Sequence, residues 1–145
     1  MQNIILEIFK DYKTLDRDYI LNLNGSGFAN NAYKLNLLKD QKKGVKISDS
    51  SFYMAKNNYY IKVSYNEIIN KLTLFPSSDL DELSLYIKNL KKLNFNKIEV
   101  YCTNKFYNLQ KQLLKLGYII ELVRKERFLN NNIFEDEIVL SYIKE

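Results

Sequence analysis

The sequence predicts a single α+β domain (mixed α/β): a central, mostly antiparallel sheet with flanking helices, one parallel strand pair and a C-terminal β-hairpin. Three observations carry this. The spacing of apolar residues changes from helical to alternating near Ala32. Between Asn70 and Gly117 the chain reads strand, helix, strand, helix, the order of a parallel crossover unit. Beyond Tyr118, two charged, apolar-rich segments flank Asn130, Asn131 and Asn132, a run suited to a turn.

Taken in order, Ile4, Ile5, Ile8, Phe9 and Tyr12 have helical spacing and predict a helix over residues 2–12. Lys13 to Asp16 reads as a break, followed by a second helix over residues 15–22. Asn24-Gly25-Ser26-Gly27 reads as a simple turn: Gly-Ser-Gly by itself is a weak phosphate-loop signal, and no strand with a following helix frames it. Tyr33, Leu35 and Leu37 alternate, residues 39–46 form a charged surface loop, and residues 52–55 lead into a turn at Asn57-Asn58. Tyr59, Ile61, Val63 and Tyr65 alternate again, so this stretch predicts an antiparallel meander.

Leu72 and Leu74 begin a strand that Pro76 ends. Ser78 or Asp79 then reads as the cap of an amphipathic helix of about 14 residues, with Asp81 or Glu82 as its capping-box partner. Leu83, Tyr86, Leu90 and Leu93 share one face of that helix. Ile98, Val100 and Cys102 alternate with Glu99 and Tyr101 in a short strand. A last helix places Leu109, Leu113 and Leu116 inward and stops at Gly117.

Composition bounds the chemistry. At 145 residues and 46% hydrophobic the chain is long enough to bury a core as one domain. It contains no histidine and one cysteine, which removes Ser-His-Asp and Cys-His machinery, a disulfide framework and an ordinary zinc or non-haem iron site. Any general acid or base must be carboxylate, Tyr, Lys or relayed water. No apolar run is long enough to span a bilayer, and Glu7, Lys10 and Asp11 interrupt any signal core, so the expectation is a cytoplasmic protein without membrane attachment. The net charge is +5, yet only Arg17, Arg124 and Arg127 are arginines. Nucleic acid is therefore disfavoured as a partner, because Arg is the residue that forks onto phosphates and guanine edges. Cys102, on an apolar strand face, reads as a small buried hydrophobe.

The order of elements, with KLGY at residues 115–118 and the closing segment FLNNNIFEDEIVLSYIKE, resembles the GNAT (GCN5-related N-acetyltransferase) superfamily. The likeness covers residues 50–145 and is best over 96–145. What it implies is an acyl-CoA-dependent N-acyltransferase that moves an acetyl group from acetyl-CoA to a small-molecule or peptide amine. In that family the acyl-CoA arm enters where the fourth and fifth strands splay, here between residues 72–75 and 98–102. The resemblance puts the cofactor against Leu72, Thr73, Leu74 and Phe75, with Ser77 and Ser78 at the next helix start and Asn104 after the fifth strand. It nominates Glu67 and Glu99 as bases and Tyr107 as the acid, since Leu113 holds the place of the family's helix tyrosine.

One part of the family pattern is degenerate. The pyrophosphate loop R/Q-x-x-G-x-G/A is replaced by SSDLDE at residues 77–82, with no glycine, Arg or Gln. Its three acids would repel a diphosphate: two such charges about 5 Å apart at a surface dielectric near 20 cost on the order of 3 kcal/mol, roughly a hundredfold in affinity. The alternative expectation is therefore a catalytically inactive domain of this shape, acting as a homodimer or as a partner-binding or assembly module.

Overall fold

The computed structural model of the chain describes residues 1–15, 50–79 and 81–144. It opens with helix α1 (Gln2–Ile8), whose Ile5 is buried. The helical spacing runs to Tyr12, but the helix stops early. At the C-cap residue Phe9 (φ −95°, ψ 46°) the chain turns, which sends Phe9 and Tyr12 into an aromatic cluster. There Phe9 stacks on Tyr86 at 4.9 Å and Tyr12 meets Tyr59 edge-on at 6.3 Å. Lys13 to Leu15, expected as a break and the start of a second helix, instead form a short strand, β1 (Lys13–Leu15), antiparallel to the next one through Thr14↔Met54. The ladder with a neighbouring strand fixes these residues, and a local spacing rule does not see it. The rest of the expected second helix, the 24–27 turn, the alternating segment at 33–37 and the 39–46 loop lie outside the described residues.

Strands β2 (Ser50–Lys56) and β3 (Tyr59–Asn66) form the predicted hairpin. Asn57 occupies the left-handed region at φ 56°, which Asn tolerates better than most residues. In the following turn Asn66 Oδ1 accepts the N–H groups of Ile68 (3.0 Å) and Ile69 (3.3 Å), bending the chain into β4 (Lys71–Pro76). Then come α2 (Leu83–Leu90), β5 (Lys97–Thr103), α3 (Tyr107–Lys115), β6 (Ile119–Asn130) and β7 (Ile133–Ile143). Among the described residues seven strands form one sheet in the order β1-β2-β3-β4-β5-β7-β6. The β4/β5 pair is parallel and every other pairing is antiparallel, as the crossover pattern predicts.

One expectation about the helices changes: α2 is eight residues long and begins at Leu83, with Glu82 at its N-cap and no side-chain cap bond. Ser78 and Asp79 lie too far upstream to cap it. Helix α3 starts after Phe106, an N-cap residue with no acceptor side chain, and takes its cap from elsewhere in the chain. Its C-terminus follows prediction. Tyr118 N–H reaches Leu113 O (3.0 Å) and Gly117 N–H reaches Leu114 O (3.1 Å), with Gly117 at φ 91°. Those two bonds are the Schellman pattern.

Alternation divides the central strands into two faces. Leu72, Leu74, Ile98, Val100, Cys102 and Leu140 join the helix residues Leu83, Ile87, Leu90, Leu109 and Leu113 in one apolar cluster. The opposite set, Lys62, Thr73, Glu99, Thr103, Glu137 and Ser141, is also buried but polar. The β6–β7 hairpin turns at Asn131 (φ 51°) and Asn132 (φ 62°), the positive pair that a two-residue I′ turn demands. Among the described residues no helix is long and apolar enough to cross a membrane.

Candidate active site

The parallel pair opens into a fork. β4 and β5 are in register from Lys71↔Lys97 to Leu74↔Val100, and pairing ends there although β4 runs on to Pro76 and β5 to Thr103. Each arm is held by its outer neighbour. On one side Phe75 pairs with Lys62 and Pro76 with Ile61; beyond them Ser77 N–H donates to Tyr60 O (2.8 Å) while Ser77 Oγ accepts Tyr60 N–H (3.0 Å). On the other side Tyr101, Cys102 and Thr103 pair with Val139, Ile138 and Glu137. Asn104 continues that arm, its N–H donating to Asp136 O (3.1 Å) and its Oδ1 accepting Asp136 N–H (2.9 Å). Past Leu74 and Val100 the inner edges of the two strands therefore no longer exchange hydrogen bonds.

The first residue beyond the last pair on each arm is aromatic. Phe75 and Tyr101 meet with ring centroids 4.7 Å apart, and Lys62 Nζ lies 4.9 Å from the Phe75 ring. Burial pushes the Tyr101 phenol up from its ordinary value, so it keeps its proton at neutral pH. The Arg124 guanidinium hydrogen-bonds Glu137 and lies close enough to Tyr101 to act on its phenol electrostatically. Two residues before Tyr101, the buried Glu99 carboxylate accepts from Thr73 Oγ1 (3.4 Å) and faces Lys71 Nζ (3.3 Å) and Lys97 Nζ (3.7 Å).

The two arms are tied across the open end. Asp79, in the loop after β4, accepts Leu109 N–H at 2.8 Å through Oδ1 and Asn108 N–H at 3.1 Å through Oδ2. With Phe106 as N-cap, these are the second and third helical N–H groups, the pair that an N-cap side chain ordinarily serves. Asp79 thus supplies the cap that Phe106 lacks. Further along, Glu82 pairs with Lys56 at 3.2 Å, and that hydrogen bond raises the lysine's pKa. Lys56, Asn57, Asn58, Tyr59, Ser78 and Glu82 surround a cleft of about 250 Å³ beside the β2–β3 turn.

The candidates read from sequence divide by position. Leu72, Thr73 and Leu74 lie in the paired part of the ladder, and Phe75 is the first residue past it. Ser77 and Asn104 are the outer ties of the two arms; Ser78 lines the cleft. Glu99 and Tyr101 share the polar face near the split. Glu67 sits in the turn before β4, at the end of the strand away from the fork, and Tyr107, 68% exposed, opens α3 at the mouth. Leu113 is fully buried. Tyr101 and the cap that Asp79 makes on α3 are not among the residues the sequence nominates. The first was detectable by alternation, which puts Tyr101 with Glu99. The second had a weaker signal: a helix start at Phe106 without a capping side chain of its own. Among the described residues no cluster of acidic, Cys or His side chains is placed to hold a metal.

No protein-family model matches the sequence, and no curated protein matches it. Solved structures do match the fold. The spermidine N-acetyltransferase of Vibrio cholerae, in complex with CoA and spermine, superimposes with a TM-score of 0.56 at 13% identity, covering 91% of this chain and 94% of that one. A dodecameric structure of the same enzyme in an intermediate state gives a TM-score of 0.54 at 11% identity over 91% and 92%. The smu.2055 protein of Streptococcus mutans UA159 gives 0.50 at 14% identity over 92% and 99%. The fold of this chain is the α+β fold of the GNAT acetyltransferases, as its sequence resemblance implied.

Proposed function

We propose that this chain is a single N-acyltransferase domain that moves an acyl group from a thioester of the acetyl-CoA kind to a primary amine. The observation that carries the reading is the parallel β4/β5 pair that stops at Leu74↔Val100 with each arm bound to its outer neighbour. An extended thioester arm fits such an opening because beyond Leu74↔Val100 the two inner strand edges no longer pair with each other, and a third extended segment can lie between them. The acceptor nitrogen attacks the thioester carbon, a C–N bond forms and the C–S bond breaks. Glu99 receives the amine's proton through water, and Tyr101, nearer the split in sequence than Tyr107, returns one to the departing thiolate. A polyamine is a natural first acceptor to try, since one structural neighbour holds spermine. The cytoplasmic setting read from the sequence belongs to this proposal.

The experiment is release of free thiol from acetyl-CoA or S-acetylpantetheine, followed with spermidine, a lysine peptide and an amino sugar in turn. Amine-dependent release above the no-protein rate supports the reading. If no acceptor stimulates release and neither thioester raises the melting temperature, the reading fails.

A second reading, an inactive domain of the same shape used for assembly, is favoured by two observations. The Asp79 tie crosses the fork mouth, and the edge strand β6 leaves Ile119, Ile120, Leu122 and Val123 exposed. Such a strand invites a protein partner or a second copy. Sedimentation analysis separates the two readings: a dimer that Leu122→Lys dissociates, with no thioester binding, selects the second.

A further inference from the structure

We propose that the thioester donor taken by this fork carries no nucleotide diphosphate: the arm is of the pantetheine type, either free or attached to a carrier protein. The inference rests on the acyl-transfer reading above and narrows its donor. It starts from the segment after β4, whose residues 77–79 and 81–82 are fastened on three sides. Ser77 is bonded twice to Tyr60 on β3, Asp79 twice to the first turn of α3, and Glu82 to Lys56 on β2. A diphosphate needs backbone N–H groups turned toward it with no side chain in the way, and glycine usually makes that room. Here the loop has no glycine.

Both helix starts that border the loop are closed to an anion. The N–H groups of Asn108 and Leu109 are taken by Asp79. At α2 the N-cap is Glu82, with Asp81 beside it, so the end of the helix dipole that would favour a phosphate already carries carboxylates. Lys56 faces this end but is engaged with Glu82. By contrast the residues deeper in the fork that would flank the amide groups of a pantetheine arm, Leu74, Phe75, Val100 and Tyr101, are themselves uncharged, and the charged groups beside them include the cations Lys62, 4.9 Å from the Phe75 ring, and Arg124 near Tyr101. The charge distribution thus admits the neutral pantetheine portion and rejects a diphosphate head group; a carrier protein would bring a single phosphodiester charge in its place.

The test measures binding of S-acetylpantetheine, acetyl-CoA and an acetylated acyl-carrier protein to the intact chain by calorimetry, together with an Asp81→Asn/Glu82→Gln variant that spares the Asp79 cap. S-acetylpantetheine should bind at least as tightly as acetyl-CoA. In the variant, acetyl-CoA should gain about tenfold while S-acetylpantetheine stays unchanged. A carrier protein that binds more than tenfold better than S-acetylpantetheine identifies the carrier as the source, and equal binding identifies the free thioester. If acetyl-CoA binds tenfold or more tighter than S-acetylpantetheine, the diphosphate is being recognised and the proposal is overturned while acyl transfer stands. If none of the three binds, the acyl-transfer reading itself falls, and this one falls with it. Should the variant melt well below the parent, the three affinities of the parent alone decide.

Discussion

Asp79 caps the helix that begins at Tyr107: its carboxylate accepts the backbone N–H of Leu109 at 2.8 Å, a bond between residues 30 apart in sequence. It accepts Asn108 N–H as well. Replacing Asp79 by Ala therefore removes two charge-assisted bonds and leaves two helix N–H groups unserved, at a cost of about 1–2 kcal/mol. Urea unfolding should show that loss. Hydrogen exchange should speed at Asn108 and Leu109 more than at Leu113, and uniform exchange along α3 would mean the cap is not what holds the helix start.

This cap also marks where the sequence stopped being legible. Patterns that repeat within a few residues were readable: the alternation that builds β3 to β5, the Asn57 and Asn131-Asn132 turns, and the Gly117 stop all follow from local backbone preferences. The parallel pair was readable too, because a strand, helix, strand order leaves little choice. What escaped depends on partners distant in sequence. Lys13 to Leu15 become a strand only because β2 lies alongside, and Asp79 serves α3 rather than α2 because folding brings two loops together. The split after Leu74 and Val100 was expected from resemblance. Its cause, the ties of Ser77 to Tyr60 and Asn104 to Asp136, is visible only in three dimensions.

Gly117 closes α3 at φ 91°. A Cβ there would meet Lys91 Nζ at 3.9 Å and Tyr142 Cε2 at 4.0 Å, ordinary contacts, so the penalty of Gly117→Ala comes from the left-handed backbone alone. That cost is about 1–2 kcal/mol. Thermal unfolding should fall accordingly, while Gly117→Asn, which accepts this conformation more readily, should lose less. Equal losses for Ala and Asn would point to crowding by Lys91 or Tyr142.

Burial pushes the Cys102 thiol up to about 12, against about 8.5 in an unfolded chain. Below pH 8 both states hold the proton and the group adds no pH dependence. As pH rises past the unfolded value, the unfolded chain releases its proton and the folded one does not, so stability falls by up to about 1.4 kcal/mol per unit until the folded value is reached. The buried hydroxyls of Tyr12, Tyr59 and Tyr118, also raised by burial, add to the slope above pH 10. Urea midpoints measured at pH 8, 9 and 10 should drop in the parent chain. In Cys102→Ala they should stay nearly level from pH 8 to 9.5, and an unchanged slope would assign the effect to other groups.

The proton delivered to the leaving thiolate distinguishes two tyrosines. Tyr101 stands one residue past the last β4/β5 pair, against Phe75, and the Arg124 contact would stabilise the phenolate left after transfer. Tyr107 is largely in solvent. Tyr101→Phe should therefore lower the transfer rate about a hundredfold, the usual range for a lost general acid, with little change in thioester affinity. Tyr107→Phe should leave the rate within about twofold. The rate loss in Tyr101→Phe should shrink when the donor is an acetylated thiophenol, whose thiolate leaves without a proton. A loss of the same size with both donors would show that the hydroxyl serves the fork in some way other than protonating the thiolate, because the missing proton would then make no difference to the step.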